Sequence, residues 1–201
     1  MMRWDLINFF TKKFNYKKYL EIGIATGECY YQVDINEKIS VDPALDNYAH
    51  SIPTYKMTSD KFFETISNLV TKEKYDIIFI DGLHHSEQVD KDISNSLEHL
   101  NDNGTIILHD CNPLVEEHQI VPRQSRAWNG DVWKSIVKYR SLNNGNACVI
   151  PTDEGLGIIN KNIQCPIQID LPKELTWQWL TENRETALGL TSFENVKKML
   201  S

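Results

Sequence analysis

The stretch Tyr19-Leu20-Glu21-Ile22-Gly23-Ile24-Ala25-Thr26-Gly27-Glu28 constrains this chain more than any other. Leu20 and Ile22 flank Glu21 and run straight into two glycines. A short apolar run ending in glycine reads as a buried strand that delivers the chain to a tight turn. Glycine lets the backbone come close to a ligand and tolerates positive φ. A helix that begins at such a turn points free N–H groups at that ligand. The pattern is E-x-G-x-x-x-G, with Ala25 standing where the dinucleotide fingerprint has its middle glycine. Taken alone, the stretch also describes an ordinary strand-turn-helix.

The remaining chain extends the same alternation. Leu6, Phe9, Phe10 and Phe14 have helical spacing and predict a helix over 3–14, on the sheet edge or over the site. Lys38 to Pro43 reads as strand two, ending in Asp42, because Pro43 blocks further ladder pairing. Thr54 to Met57 is a short third strand. An amphipathic helix over 60–72 follows, with Phe62, Phe63, Ile66, Leu69 and Val70 on one face. Tyr75 to Ile80 is nearly continuous in apolar residues, as a central parallel strand requires, and ends at Asp81-Gly82. A helix from Ser86 places Val89, Ile93, Leu97 and Leu100 together, and Asn103-Gly104 breaks it. Thr105 to Leu108 is a fifth strand, ending at His109-Asp110. A polar loop, 111–128, leads to a helix over about 131–142. Residues 147–151 and 156–160 then read as a hairpin around Thr152–Gly155. The tail is helical over about 176–184 and 192–200.

These elements predict an α/β fold with a doubly wound, Rossmann-like, mostly parallel seven-stranded sheet and a C-terminal antiparallel hairpin. One domain is expected, with an N-terminal helix in 1–17, a core over 18–160 and a helical tail over 161–201. A net charge of −7 argues against binding nucleic acid phosphate or an anionic membrane surface. No apolar run approaches the ~20 residues of a membrane-spanning helix. Met1 to Tyr19 lacks the apolar core and small-residue cleavage site of a signal peptide, so a cytoplasmic location is expected. Cys29, Cys111, Cys148 and Cys165 are widely spaced and read as reduced thiols.

In an open parallel sheet, ligands bind beyond the carboxyl ends of the strands. Every predicted strand end here is polar: Glu21, Gly23 and Gly27, then Asp42, then Ser59 and Asp60, then Asp81 and His84, then His109 and Asp110. A single aspartate at a strand end is commonly a cap or turn residue, but five polar ends in succession describe a site. Asp42 falls nineteen residues after Gly23 (42 − 23 = 19), where an acid can accept the hydroxyls of an adenosine ribose. An NAD enzyme would share that feature. Glu21 inside strand one and the closing hairpin argue against it.

Glu21-Ile22-Gly23-x-x-x-Gly27, Asp42 after strand two, Asp76-Ile-Ile-Phe-Ile-Asp81-Gly82 and Gly104-Thr-Ile-Ile-Leu-His109-Asp110 resemble the class I S-adenosylmethionine-dependent methyltransferases. Asp81-Gly82-x-His84, Leu108-His109-Asp110 and Trp128-Asn129-Gly130-Asp131-Val132-Trp133 are similar to a small-molecule subfamily that includes sugar and natural-product O-methyltransferases. The resemblance covers about residues 18–160. It implies that S-adenosylmethionine is the cofactor. It also implies that Glu21, Gly23 and Gly27 surround the cofactor's methionine part, with Ala25 and Thr26 in the same turn. Asp42 takes the ribose, Ser59 or Asp60 lies near the adenine, and Asp81 borders the cofactor and the transfer site, with His84 close by. Some relatives bind a divalent metal through an aspartate after strand four and an acidic pair after strand five. The corresponding candidates here are Asp81, His109 and Asp110. Imidazole replaces one carboxylate, which disfavours magnesium.

The expected chemistry is transfer of a methyl group to a small-molecule acceptor, a hydroxyl in the favoured reading. Catalysis falls to Asp81, His109 and Asp110, with His109 weighed as general base against a hydrogen-bonding role at the sheet edge. The absence of N-P-P-Y or D-P-P-Y after strand four argues against nucleobase amino groups. Arg123 and Arg126, in the loop where a substrate lid would lie, are candidates for holding a phosphate or carboxylate. The alternatives are a domain that binds the cofactor without catalysis and, less favoured, an NAD-dependent oxidoreductase. The sequence leaves the oligomeric state open, a homo-oligomer included.

Overall fold

Ile77, Ile78, Phe79 and Ile80 are consecutive, and each is at most 3% exposed, so both faces of the strand they form are covered. That is the environment of a central parallel strand. The computed structural model describes residues 1–43, 53–69, 73–142, 145–166 and 170–201. Positions 70–72, the end of the helix expected over 60–72, lie outside them.

The elements are α1 (Arg3–Phe14), β1 (Lys18–Ile22), α2 (Glu28–Gln32), β2 (Glu37–Val41), α3 (Ser59–Ser67), β3 (Tyr75–Ile80) and α4 (Ser86–Glu98). They are followed by β4 (Leu100–Leu108), α5 (Glu116–Gln119), α6 (Val132–Leu142), β5 (Ala147–Ile150), β6 (Leu156–Ile159), α7 (Trp177–Leu188) and α8 (Phe193–Met199). The strands form a mixed sheet in the order β2-β1-β3-β4-β6-β5, a Rossmann-like arrangement with an antiparallel C-terminal pair. Among the described residues no helix is long and apolar enough to cross a membrane.

Among the described residues the sheet has six strands, where the sequence predicts seven. The segment expected as a third strand makes a single parallel bridge, Val41 to Tyr55. Its neighbours spend their backbone groups on side chains: Ser40 N–H donates to Thr54 Oγ1 and Thr54 N–H donates to Ser40 Oγ, each at 3.1 Å. Hydroxyl side chains thus replace the ladder that would have extended the strand. β4 is longer than expected. It starts at Leu100, which the helical pattern had claimed for α4, and passes through Asn103-Gly104. The Leu100 side chain fills the space beside Gly104, where an added Cβ would lie 2.5 Å from Leu100 Cγ.

The chain sorts into two compact units, residues 1–83 with 88–107, and residues 84–87 with 108–201. In the first, β1 pairs in parallel with β2 and with β3. Leu6, Ile7 and Phe10 of α1, Phe62, Phe63 and Ile66 of α3, and Val89 and Ile93 of α4 supply its buried helical faces. Asp76 Oδ2 accepts from the N–H groups of Lys17 and Lys18 and so fixes where β1 begins.

The second unit is built around the β5–β6 hairpin and α6 to α8. Its centre holds an arginine. Arg140 of α6 is fully buried, and its guanidinium donates to the carbonyls of Ala187 and Thr186 at the end of α7 and of Ala147 in β5. A cation at a helix C-terminus is well placed against the helix dipole, and here it also satisfies carbonyls that water cannot reach. Val149, in β5, also makes a parallel bridge to Leu190, just after α7. Arg140→Leu should therefore lower the unfolding free energy by roughly 3–5 kcal/mol, since several buried acceptors lose a charged donor together. Urea titration followed by circular dichroism measures it.

Candidate functional site

In the first unit the strand ends are built around two carboxylates and a turn. Tyr19 and Glu21 are two apart on β1 and so share a face. Glu21 is 1% exposed, and Tyr19 Oη donates to its Oε2 at 2.5 Å. Burial pushes the Glu21 carboxyl up to about 8, against the opposing hydrogen bond from Tyr19. Ile24 to Gly27 form the turn, closed by Gly27 N–H to the Ile24 carbonyl at 2.7 Å. Ala25 and Thr26 are exposed at its tip, and Ala25 has a φ of 41°. Asp42, one residue past β2, braces that turn: its Oδ2 accepts from Ile24 N–H at 3.0 Å and Ala25 N–H at 3.4 Å. A carboxylate has about four acceptor sites, so this brace does not exhaust it.

Gly23 has a φ of 86°, and a Cβ there would lie 2.0 Å from the Asp81 carbonyl oxygen and 2.7 Å from Gly82 Cα. The close approach read from the sequence as room for a ligand is therefore, first, room for the backbone after β3. Asp81 itself is held by α1, whose Arg3 Nη1 lies 3.0 Å from its Oδ2. Ser59 and Asp60 point their hydrogen bonds elsewhere. Gln88 of α4 donates to Ser59 Oγ, Asp60 Oδ1 and Asp92 Oδ1 at 3.3, 2.9 and 3.1 Å, tying α3 to α4. Burial raises the Asp92 carboxyl in that network to about 6.

The second unit gathers His84, His109 and Asp110. Asp110, in the left-handed region at a φ of 61°, directs Oδ2 at His109 Nδ1 (2.8 Å) and at His84 Nε2 (3.4 Å). Its Oδ1 accepts from Asn129 Nδ2 at 2.8 Å. His109 is 6% exposed, and its Nε2 faces Asp153 Oδ1 at 3.6 Å. Both ring nitrogens of His109 thus face carboxylates. Asp153 sits on the β5–β6 turn, which is fixed to the segment after β4 by Asn112 N–H to the Glu154 carbonyl and Cys111 N–H to the Gly155 carbonyl.

His84 is more open. Its ring stacks on Trp128 at 5.1 Å, and its Nδ1 lies 3.4 Å from the Trp128 carbonyl. Gly130, with a φ of 61°, passes so close to His84 that a Cβ would lie 1.8 Å from the His84 carbonyl oxygen. Asp131 caps the start of α4, accepting from Ser86 N–H at 2.6 Å and Ser86 Oγ at 2.9 Å. Burial opposes its charge, yet those bonds and Lys134 hold its carboxyl below the usual range. Arg123 is spent inside its loop, donating to the carbonyls of Ser125 and Arg126 and lying over Trp128.

Residues 20–111 match the family described as "Methyltransferase domain". The chain has the class I methyltransferase fold. An O-methyltransferase from Bacillus cereus, solved in complex with SAH, superposes with a TM-score of 0.54 at 12% identity, covering 79% of this chain and 80% of that one. A putative caffeoyl-CoA O-methyltransferase from Staphylococcus aureus gives 0.54 at 20% identity, covering 77% and 80%. The O-methyltransferase TomG from Streptomyces achromogenes, involved in tomaymycin synthesis and solved with SAM, gives 0.52 at 11%, covering 78% of each chain. No curated protein matches the chain in sequence.

The structure thus brings Glu21, Gly23, Ala25, Thr26, Gly27 and Asp42 together at one set of strand ends, and His84, His109 and Asp110 together in the second unit. Sequence reading missed Arg3, Tyr19, Asn129 and Asp153. Asn129 lies inside a quoted motif, but the turn residue Asp153 carried no signal that would pair it with position 109.

Two outcomes follow. Gly23→Ala should cost roughly 3 kcal/mol or more in stability, read by chemical denaturation, because a side chain meets backbone at a strained φ. Glu21→Gln should match the wild type near pH 5 and exceed its stability as pH rises to about 8. A buried acid whose folded pKa is raised binds more protons folded than unfolded, so the wild type loses stability across that window. Thermal melts of both proteins at each pH measure it.

Proposed function

We propose that this protein transfers a methyl group from S-adenosylmethionine to a hydroxyl of a small-molecule acceptor. The observation that carries this is the arrangement of Glu21, the Ile24–Gly27 turn and Asp42 at adjacent strand ends, within the segment that matches the methyltransferase domain. The neighbouring O-methyltransferases solved with SAH or SAM support the choice of cofactor. In this reading the turn and Glu21 receive the methionine part, Asp42 accepts the ribose hydroxyls, and Asp81, steadied by Arg3, borders the sulfonium. Ser59 and Asp60 are left to the α3–α4 network.

The cofactor supplies an electrophilic methyl carbon bonded to a sulfonium. The acceptor oxygen bonds to that carbon as the carbon–sulfur bond breaks, and the acceptor proton must go to a base. His84 suits that task better than His109. Its ring nitrogens face two acceptors, Nδ1 the Trp128 carbonyl and Nε2 the Asp110 carboxylate, and both stabilise the imidazolium formed when the ring takes the acceptor proton. His109, enclosed between Asp110 and Asp153, orients the shared carboxylate. This scheme needs no metal, and the donor set is a poor one for magnesium. Asp110 Oδ2 sits at hydrogen-bond distance from an imidazole nitrogen, and one position of the acidic pair is a histidine.

The test is a methyl-acceptor screen with labelled S-adenosylmethionine. Asp42→Asn should raise the cofactor Kd by about 10- to 150-fold, the loss of roughly 1.5–3 kcal/mol of charge-assisted hydrogen bonding. His84→Gln should lower kcat by about 10²–10⁴ with cofactor binding retained. EDTA should change nothing. Activity lost to chelator and restored by Mg²⁺ would replace the metal-free scheme, and failure to bind the cofactor would end the methyltransferase reading.

A further inference from the structure

We propose that cofactor binding expels a proton from Glu21, whose buried carboxyl is neutral in the ligand-free protein and becomes a carboxylate beside the cofactor's ammonium group. The inference rests on the S-adenosylmethionine reading above and deepens it.

The charges around Glu21 decide its protonation state. Glu21 is 1% exposed, and its hydrogen bond comes from a neutral phenol, Tyr19, on the same strand. From α2, the Cys29 thiol lies 3.9 Å from that phenol oxygen, and Tyr30 interacts electrostatically with Glu21. From beyond β3 comes a second acid, Asp81. Among the described residues two cations, Arg3 and Lys38, act on Glu21, and both are engaged elsewhere. Arg3 of α1 pairs with Asp81 at 3.0 Å. Lys38 of β2 donates to the carbonyls of Tyr30 and Val33 at 2.8 and 2.9 Å. Two acids therefore share one closely paired cation, and the unmatched acid is the buried one.

An ionised carboxyl in that position is costly unless a positive partner arrives, so in the empty site the proton stays on. Burial, the largest influence, holds Glu21 at about 8. Burial also pushes the Tyr19 phenol and the Cys29 thiol far up, so neither is the proton donor. An ammonium group brought in by the ligand reverses the balance. It favours the carboxylate, and the proton leaves for solvent. Below about pH 8 every binding event must then remove a proton, so affinity falls as the solution becomes more acidic.

Isothermal titration calorimetry on the full chain tests this, with S-adenosylhomocysteine as the probe because it carries the ammonium and cannot transfer a methyl group. At about pH 7, in phosphate and in Tris, the wild type should show different binding enthalpies corresponding to release of nearly one proton per ligand. Its affinity should rise roughly tenfold per pH unit between about 6 and 7.5 and level off above about 8. Glu21→Gln should bind with the same enthalpy in both buffers and with a flat pH dependence. Tyr19→Phe removes the hydrogen bond that lowers the Glu21 pKa, so the levelling point should move to higher pH, and this variant carries the test if Glu21→Gln fails to fold. Normal binding with equal enthalpies in the two buffers would overturn the inference and leave the methyltransferase reading intact. Proton release that persists in Glu21→Gln would overturn it too. The absence of binding by S-adenosylhomocysteine and S-adenosylmethionine alike would instead overturn the cofactor reading.

Discussion

The first unit depends on a contact between two pieces of backbone. Gly23, leaving β1, passes so close to Asp81-Gly82, leaving β3, that no side chain fits between them. Gly23 N–H donates to the Val41 carbonyl, and Asp81 N–H donates to the Ile22 carbonyl, so three adjacent strands end in register. That alignment puts the Ile24–Gly27 turn within reach of the Asp42 carboxylate and gives Asp81 a position that Arg3 can reach. Each polar group at the strand ends inherits its place from this packing. The glycine that looks like a ligand contact in the sequence is a structural contact first.

The second unit solves a different problem, holding two imidazoles around one carboxylate. Asp110 does it from a left-handed conformation that aspartate tolerates better than most residues. Asn129 fixes its other oxygen, and the β5–β6 turn encloses His109 from the far side. The consequence is an asymmetry between the histidines: one is walled in by acids, and the other is open and stacked on Trp128. Burial and partners, more than residue type, divide their roles.

Much of this was legible in the sequence, for local reasons. β1, β3 and the hairpin were visible because their apolar runs and bounding glycines lie within a few residues of one another. Asp42 was legible because its distance along the chain from Gly23 is set by one strand-turn-helix-strand unit. The missing seventh strand was not, because Ser40 and Thr54 trade backbone for side-chain hydrogen bonds, and residue type alone does not reveal which option wins. Nor was the long β4, since Leu100 suits a helix face and a strand equally well until its packing on Gly104 decides. Arg3 and Asp153 were invisible for a simpler reason: their partners stand far away in the chain, at Asp81 and His109.

Arg140 touches α7, β5 and, through its own backbone, α6. One side chain therefore joins three elements that are separate in sequence. None of them can peel away without taking a buried carbonyl from its charged donor, which makes α6, β5 and α7 a single cooperative unit. In hydrogen exchange, the amides of α6, β5 and the last turn of α7 would open together, at one rate, rather than fraying from the chain end inward.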